Sequence, residues 1–145
     1  MIKGERETLY LIWFYLRQDR QIHVGKLGRK CFPAGDYIYI GSAKRAIGKR
    51  LSRHRRLEKP MRWHIDYFRP HASWKKGWRF TEQGGECALR LFVEEKLTGR
   101  PLVPSFGSSD CRCAAHLLYV PEMTIEDGRW IKQEWNHPYS RTTHE

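Results

Sequence analysis

The stretch that most narrows the fold is Leu-Tyr-Leu-Ile-Trp-Phe-Tyr-Leu at residues 9–16, the longest apolar run in the chain. It falls far short of the ~18 residues that a membrane-spanning helix needs. Its aromatic and β-branched content favours a strand, and its length is that of a buried one. Residues 8–16 therefore read as the first strand. Gln18-Asp19-Arg20 reads as a turn, and residues 21–24 as a second strand in a hairpin with the first. Gly25, Gly28, Pro33 and Gly35 punctuate a loop. Residues 36–40 form a third strand, with Tyr37 and Tyr39 on one face and Ile38 and Ile40 on the other.

Helical signals follow. Residues 44–57 predict a helix stopped by Pro60, and 61–68 a short aromatic helix closed by Pro70. Residues 74–81 read as a strand, and 85–98 as a helix with Gly99 as C-cap and Pro101 beyond. A turn-rich loop at 104–113 precedes a last strand at 116–120. Strands first, then helices interleaved with single strands, predict a small α/β or α+β domain: a largely antiparallel central sheet flanked by helices. With 145 residues in all, the chain is the size of one domain. The reading places that domain at 1–121, with a partly mobile C-terminal extension at 122–145.

Charge points to the partner. Lys and Arg number 27 against 16 Asp and Glu, a net +11 with a pI near 9.8, which favours a polyanion, most often nucleic acid. No long basic amphipathic helix with an aromatic face suggests a lipid surface. The charged N-terminus lacks a signal-peptide pattern, so the expectation is a soluble, cytoplasmic protein. Between residues 44 and 62 there are nine Lys or Arg and one acid, Glu58. At ~100° per residue, Arg50 and His54 lie beside the apolar seam of Ile47 and Leu51, facing the sheet. Lys49, Arg53 and Arg56 point the other way, toward solvent or, with Lys44, toward a nucleic-acid backbone. An arginine fork held against the protein body suits phosphate, and a histidine one turn later can bind phosphate or move a proton. A structural pair making local hydrogen bonds is the plainer reading of the same spacing.

Tyr39-Ile40-Gly41, then Ser42-Ala43, then Arg50-x-x-x-His54 on a helix resembles the second half of the signature of the GIY-YIG nuclease superfamily. A branch of that superfamily is similar over more of the chain. It shares Trp-His-Ile-Asp-Tyr (63–67), Glu-Cys-Ala-Leu (86–89) and Phe-Gly-Ser-Ser-Asp-Cys-x-Cys (106–113) followed by His116-Leu117, and the resemblance spans residues 9–119. The first half of the signature departs from the pattern, because Thr8-Leu9-Tyr10 keeps only the tyrosine. The resemblance implies a metal-dependent endonuclease acting on DNA more than RNA, with Tyr10, Tyr39, Arg50, His54 and Glu86 as its catalytic set. Glu86 would also hold one divalent ion, and a lone hard oxygen ligand suits Mg²⁺ or Mn²⁺. Periodicity aims Glu86 toward the protein body in the first turn of its helix. Tyr10 or Tyr39 would orient or deprotonate the attacking water, with Arg50 as the cation that lowers the tyrosine pKa.

Three readings stay open. His64 is a candidate nucleic-acid contact at the edge of the site, whereas the aromatics around it read as packing and Asp66 as a partner for backbone or a basic side chain. Cys111, Cys113 and His116 place soft donors close together, with Cys87 or Asp110 to complete a zinc site. No second Cys-x-x-Cys is present, so buried thiols are the simpler reading than structural zinc. The alternatives to an enzyme are a nucleic-acid-binding module that has lost catalysis and a zinc-stabilised interaction domain. Target choice would come from substrate shape or from a protein partner.

Overall fold

The computed structural model describes residues 6–107 and 115–136. It is an α+β fold built around a four-stranded antiparallel sheet. The apolar run becomes strand β1 (Glu7–Leu16), paired on one edge with β4 (Gly35–Ser42) and on the other with β5 (Ser73–Thr81). Strand β6 (Leu117–Val120) adds to the far edge of β4, giving the order β5-β1-β4-β6. Alternation sorts the side chains into two cores. Tyr10, Ile12, Phe14 and Leu16 of β1, with Tyr37 and Tyr39 of β4, enter one. Leu9, Leu11, Trp13, Ile38 and Ile40 enter the other.

The second strand does not form a hairpin with the first. Strand β2 (Arg20–His23) pairs with β3 (Arg29–Phe32) in a separate two-stranded ribbon. Both edges of β1 are already taken, and β2 brings a single buried residue, Ile22, to the core. The ribbon lies over the first core through Ile22, Val24 and Phe32.

Helix α1 (Ile47–Arg55) starts three residues later than its sequence signal, after Ala46 takes a left-handed conformation at φ 53°. It shares the first core's side of the sheet with the short helix α2 (His64–Phe68). On the opposite side is α3 (Gly85–Leu97), whose cap is Thr98, at φ 55°, and not Gly99. Gly99 instead lies close against β6: a Cβ there would approach the Leu118 Cβ to 3.3 Å.

The division at residue 121 does not separate two packing units. Residues 125–136 form α4 (Ile125–Asn136), which buries Ile131 and Trp135 in the second core beside Trp78 and Phe92. The indole N–H of Trp135 donates to the Thr81 carbonyl at 2.9 Å. The sparse spacing of Ile131 and Trp135 among charged residues concealed this helix. The rest of the expected mobile tail, 137–145, lies outside the described residues. Gly128 faces Trp78 so closely that a Cβ would collide with the indole ring. Gly128→Ala should therefore lose at least about 1 kcal/mol of stability through overpacking, although alanine is the better helix former by ~1 kcal/mol. Urea unfolding of the two proteins measures the difference.

Candidate active site

Tyr10 lies directly opposite Gly41 in the β1–β4 ladder. Its ring crosses the glycine so closely that any Cβ at Gly41 would overlap it. The glycine of Tyr-Ile-Gly is thus required by the tyrosine of the neighbouring strand. Tyr39 sits two residues earlier on the same face of the sheet. Helix α1 lowers His54 onto both rings, with centroids 5.3 Å from Tyr10 and 5.7 Å from Tyr39. The Tyr10 hydroxyl and His54 Nε2 are 2.7 Å apart, while His54 Nδ1 has no partner among the described residues.

Arg50, one turn before His54, donates to the Ser42 carbonyl at 3.1 Å and stacks on Trp63 at 4.8 Å. Glu86 comes from the other direction, in the first turn of α3 after two glycines at φ 81°. Its carboxylate stays 30% exposed and approaches His116 Nδ1 at 3.5 Å. Tyr10, Tyr39, Arg50, His54 and Glu86 line one pocket. His64 lines it too, accepting the Gly107 N–H on Nδ1 at 2.9 Å. Arg62 and Trp63 complete that wall. Sequence reasoning passed over both, reading Trp63 as packing; its position beside His64 was the available signal.

The basic helix is divided differently from its periodicity. Lys44, Lys49 and Arg56 are exposed. Arg53 is not a free surface cation: both its terminal nitrogens bond the Asp66 carboxylate at 3.0 Å, and it stacks on Trp63 at 4.4 Å. It lies on the flank of α1 that meets α2, where a fully buried carboxylate demands a partner. Asp66 also accepts the Arg62 and Trp63 amides at 2.8 and 2.9 Å, and Lys59 approaches it at 3.6 Å. Burial works to raise the Asp66 pKa, but the Arg53 guanidinium and the two amides outweigh it and hold it below the usual value.

Burial governs the catalytic candidates. It pushes the Tyr10 pKa up to about 12; Arg50 pulls it down, but not enough to reverse the shift. Tyr39 is likewise raised by burial, with Tyr10 and Glu86 adding to the effect. Arg50 therefore does not make either phenol a ready base, contrary to the role the sequence suggested for it. Burial lowers His54 to about 3, and Lys59 contributes in the same direction. At neutral pH the pocket holds two protonated phenols, the neutral imidazoles of His54 and His64, fixed guanidinium charge and one carboxylate. It can donate hydrogen bonds and bind an anion.

No three His, Cys, Asp or Glu side chains among the described residues gather where they could hold one metal ion. The donor set suits only a hard divalent ion that takes most of its ligands from water and substrate, with Glu86 as the protein's oxygen. Cys111 and Cys113 lie outside the described residues. His116 is turned toward Glu86, with Nε2 3.9 Å from Cys87 Sγ. Cys87 is disulfide-bonded, so it is neither the buried thiol nor the zinc ligand that the sequence suggested.

Because His54 binds no proton in the folded chain above pH ~3, and the unfolded chain takes one up near 6.5, unfolding is linked to proton uptake between those values. Stability should fall as pH drops through that window, by up to about 1.4 kcal/mol per pH unit from this residue. His54→Gln should flatten that slope in urea unfolding measured from pH 7 to 4.

A family described as domain of unknown function DUF123 matches residues 9–134. No curated protein and no solved structure matches the chain. The match covers most of the chain, and the chain belongs to the DUF123 family.

Proposed function

We propose that this member of the DUF123 family is a metal-dependent endonuclease of the GIY-YIG type, cleaving phosphodiester bonds of DNA in preference to RNA. The observation that carries the reading is convergence. Tyr10, Tyr39, Arg50, His54 and Glu86, drawn from β1, β4, α1 and α3, line a single pocket, as expected if the superfamily's catalytic set is present. The weakest of the sequence assignments, Tyr10, is the one whose ring accounts for Gly41.

Each residue then has a task. Arg50 binds a non-bridging phosphate oxygen and stabilises the charge that grows there, helped by the partial exclusion of water from the pocket. His54 Nε2 fixes the Tyr10 hydroxyl, so that the phenol oxygen orients a water for attack. With its proton held by burial, Tyr10 positions that water and does not begin as its base. Tyr39 and the outer nitrogen of His64 offer further donors to the phosphate. Glu86 would hold Mg²⁺ or Mn²⁺, which when bound supplies Lewis-acid stabilisation of the leaving oxygen. No helix of the described residues is long and apolar enough to cross a membrane, which accords with an enzyme that meets nucleic acid in solution, in the cytoplasm.

Supercoiled plasmid, branched DNA and single strands incubated with Mg²⁺ or Mn²⁺ test the proposal. Nicking should vanish with EDTA and fall by about 10²–10³-fold in Arg50→Ala, the loss typical of a removed charge-stabilising donor. Glu86→Gln should be equally inactive at low metal concentration. DNA binding that survives without cleavage on every substrate would instead favour the catalytically silent binding module.

A further inference from the structure

A second cationic hollow lies on the far flank of α1. Gly48, Lys49, Ser52, Arg53, Arg56 and Arg79 line it, with no acidic residue among them. Arg53 is committed to Asp66. Lys49, Arg56 and Arg79 are exposed and, among the described residues, pair with no carboxylate. Arg79 comes from the edge strand β5, directly opposite Tyr10 in the ladder, and so projects on the side of the sheet that carries α1. Its Nη2 lies 3.2 Å from where a Cβ of Gly48 would be. The bare backbone at Gly48 lets the guanidinium lie against the helix. Like charges gathered around one hollow repel, and an anion seated there turns that cost into attraction.

The hollow and the candidate active site lie on different flanks of the same helix. At ~100° per residue, the directions of Arg50 and His54 differ from those of Lys49, Ser52 and Arg56 by roughly 150°. A helix with its side chains is ~10–12 Å across. Adjacent phosphates of one strand advance only ~3.4 Å along the duplex axis, so two neighbours cannot straddle it. The two backbones bordering a major groove, ~12 Å wide, can. We infer that the hollow binds a backbone phosphate of the second strand while the pocket holds the strand to be cut, so that α1 seats in a groove and the substrate is double-stranded. The inference rests on the nuclease reading only for the use of the pocket by the first strand.

Fluorescence anisotropy in EDTA, with a labelled duplex and a single strand of equal length across a salt series, tests it without hydrolysis. The Arg56→Ala/Arg79→Ala double variant should bind the duplex several-fold more weakly. Its slope of log affinity against log salt should be shallower by about 1. Single-strand binding should match wild type. The double lysine variant, which keeps the charge, should recover most of the duplex affinity. Equal losses on duplex and single strand, no loss on either, or no duplex binding by the wild-type protein would each overturn the inference. A duplex-selective loss in a protein that never nicks would remove the nuclease reading and leave the hollow standing.

Discussion

Strand β1 is paired on both edges and buried on both faces, and this double enclosure decides where the other elements can go. Its odd-numbered side chains from Leu9 to Trp13 need a cover, which α3 and α4 provide; its even-numbered ones need another, provided by α1, α2 and the β2–β3 ribbon. The site is a consequence of that arrangement. Tyr10 belongs to the first core by alternation, yet it lies near the end of β1 where the adjoining strand runs out through Gly41 and Ser42 into the corner before α1. A ring rooted in the core therefore ends with its hydroxyl at a pocket. Position along the strand, more than residue type, separates Tyr10 from Phe14 four residues further on, which lies opposite Tyr37 and packs its ring edge-on against Phe68 and Trp74.

The pocket's opposite wall depends on a buried charge. Asp66 is fully enclosed, with Arg53, Lys59 and two backbone amides around its carboxylate. Removing one partner from such a cluster leaves a buried charge uncompensated, at a cost of about 3–5 kcal/mol. The same cluster fixes the path of residues 56–63: Arg53 also holds the Pro60 carbonyl, and Lys59 holds the carbonyls of Arg53 and His54 at the end of α1. Trp63 is thereby set against Arg50, with the Arg62 guanidinium also over its ring. Arg50 keeps its guanidinium directed at the pocket because it is braced by the Ser42 carbonyl and the Trp63 ring, so little conformational entropy is left to lose when an anion arrives.

What the sequence disclosed follows from which forces are local. The strand at β1, the alternation of Tyr37 to Ile40 and the inward turn of Arg50, His54 and Glu86 all depend on period and composition, and the structure carries them. The hairpin expected between the first two strands failed because pairing is decided by competition for edges, and β4 and β5, remote in sequence, occupy those of β1. Arg53 was misjudged for a related reason. Periodicity gives the side of a helix but not what another element brings to that side, here Asp66 from α2. Helix α4 was missed because its apolar face is narrow, with Ile131 and Trp135 sparsely spaced in a charged tail. Tyr10 was the least certain site residue because the motif around it is incomplete; its pairing with Gly41 and its contact with His54, which bring it to the pocket, are made between segments remote in sequence.

The protonation pattern bears on how such a pocket would work. Burial keeps the proton on Tyr10 and Tyr39 and keeps it off His54, so the resting site has hydrogen bonds to offer and no strong base. A water placed there is oriented but not activated. The opposing influences on Tyr10 are unequal yet comparable in kind: burial raises its pKa, Arg50 lowers it, and the Glu86 charge raises it further. A cation shared with Glu86 would neutralise the last of these and add its own field in the direction of Arg50, lowering the phenol pKa from both sides. On the proposed reading, the phenol gives up its proton more readily with the ion in place than without it, whereas a phosphate alone would add negative charge and raise its pKa. The same burial that makes Tyr10 a poor base in the free protein would thereby keep the site idle until the ion is bound.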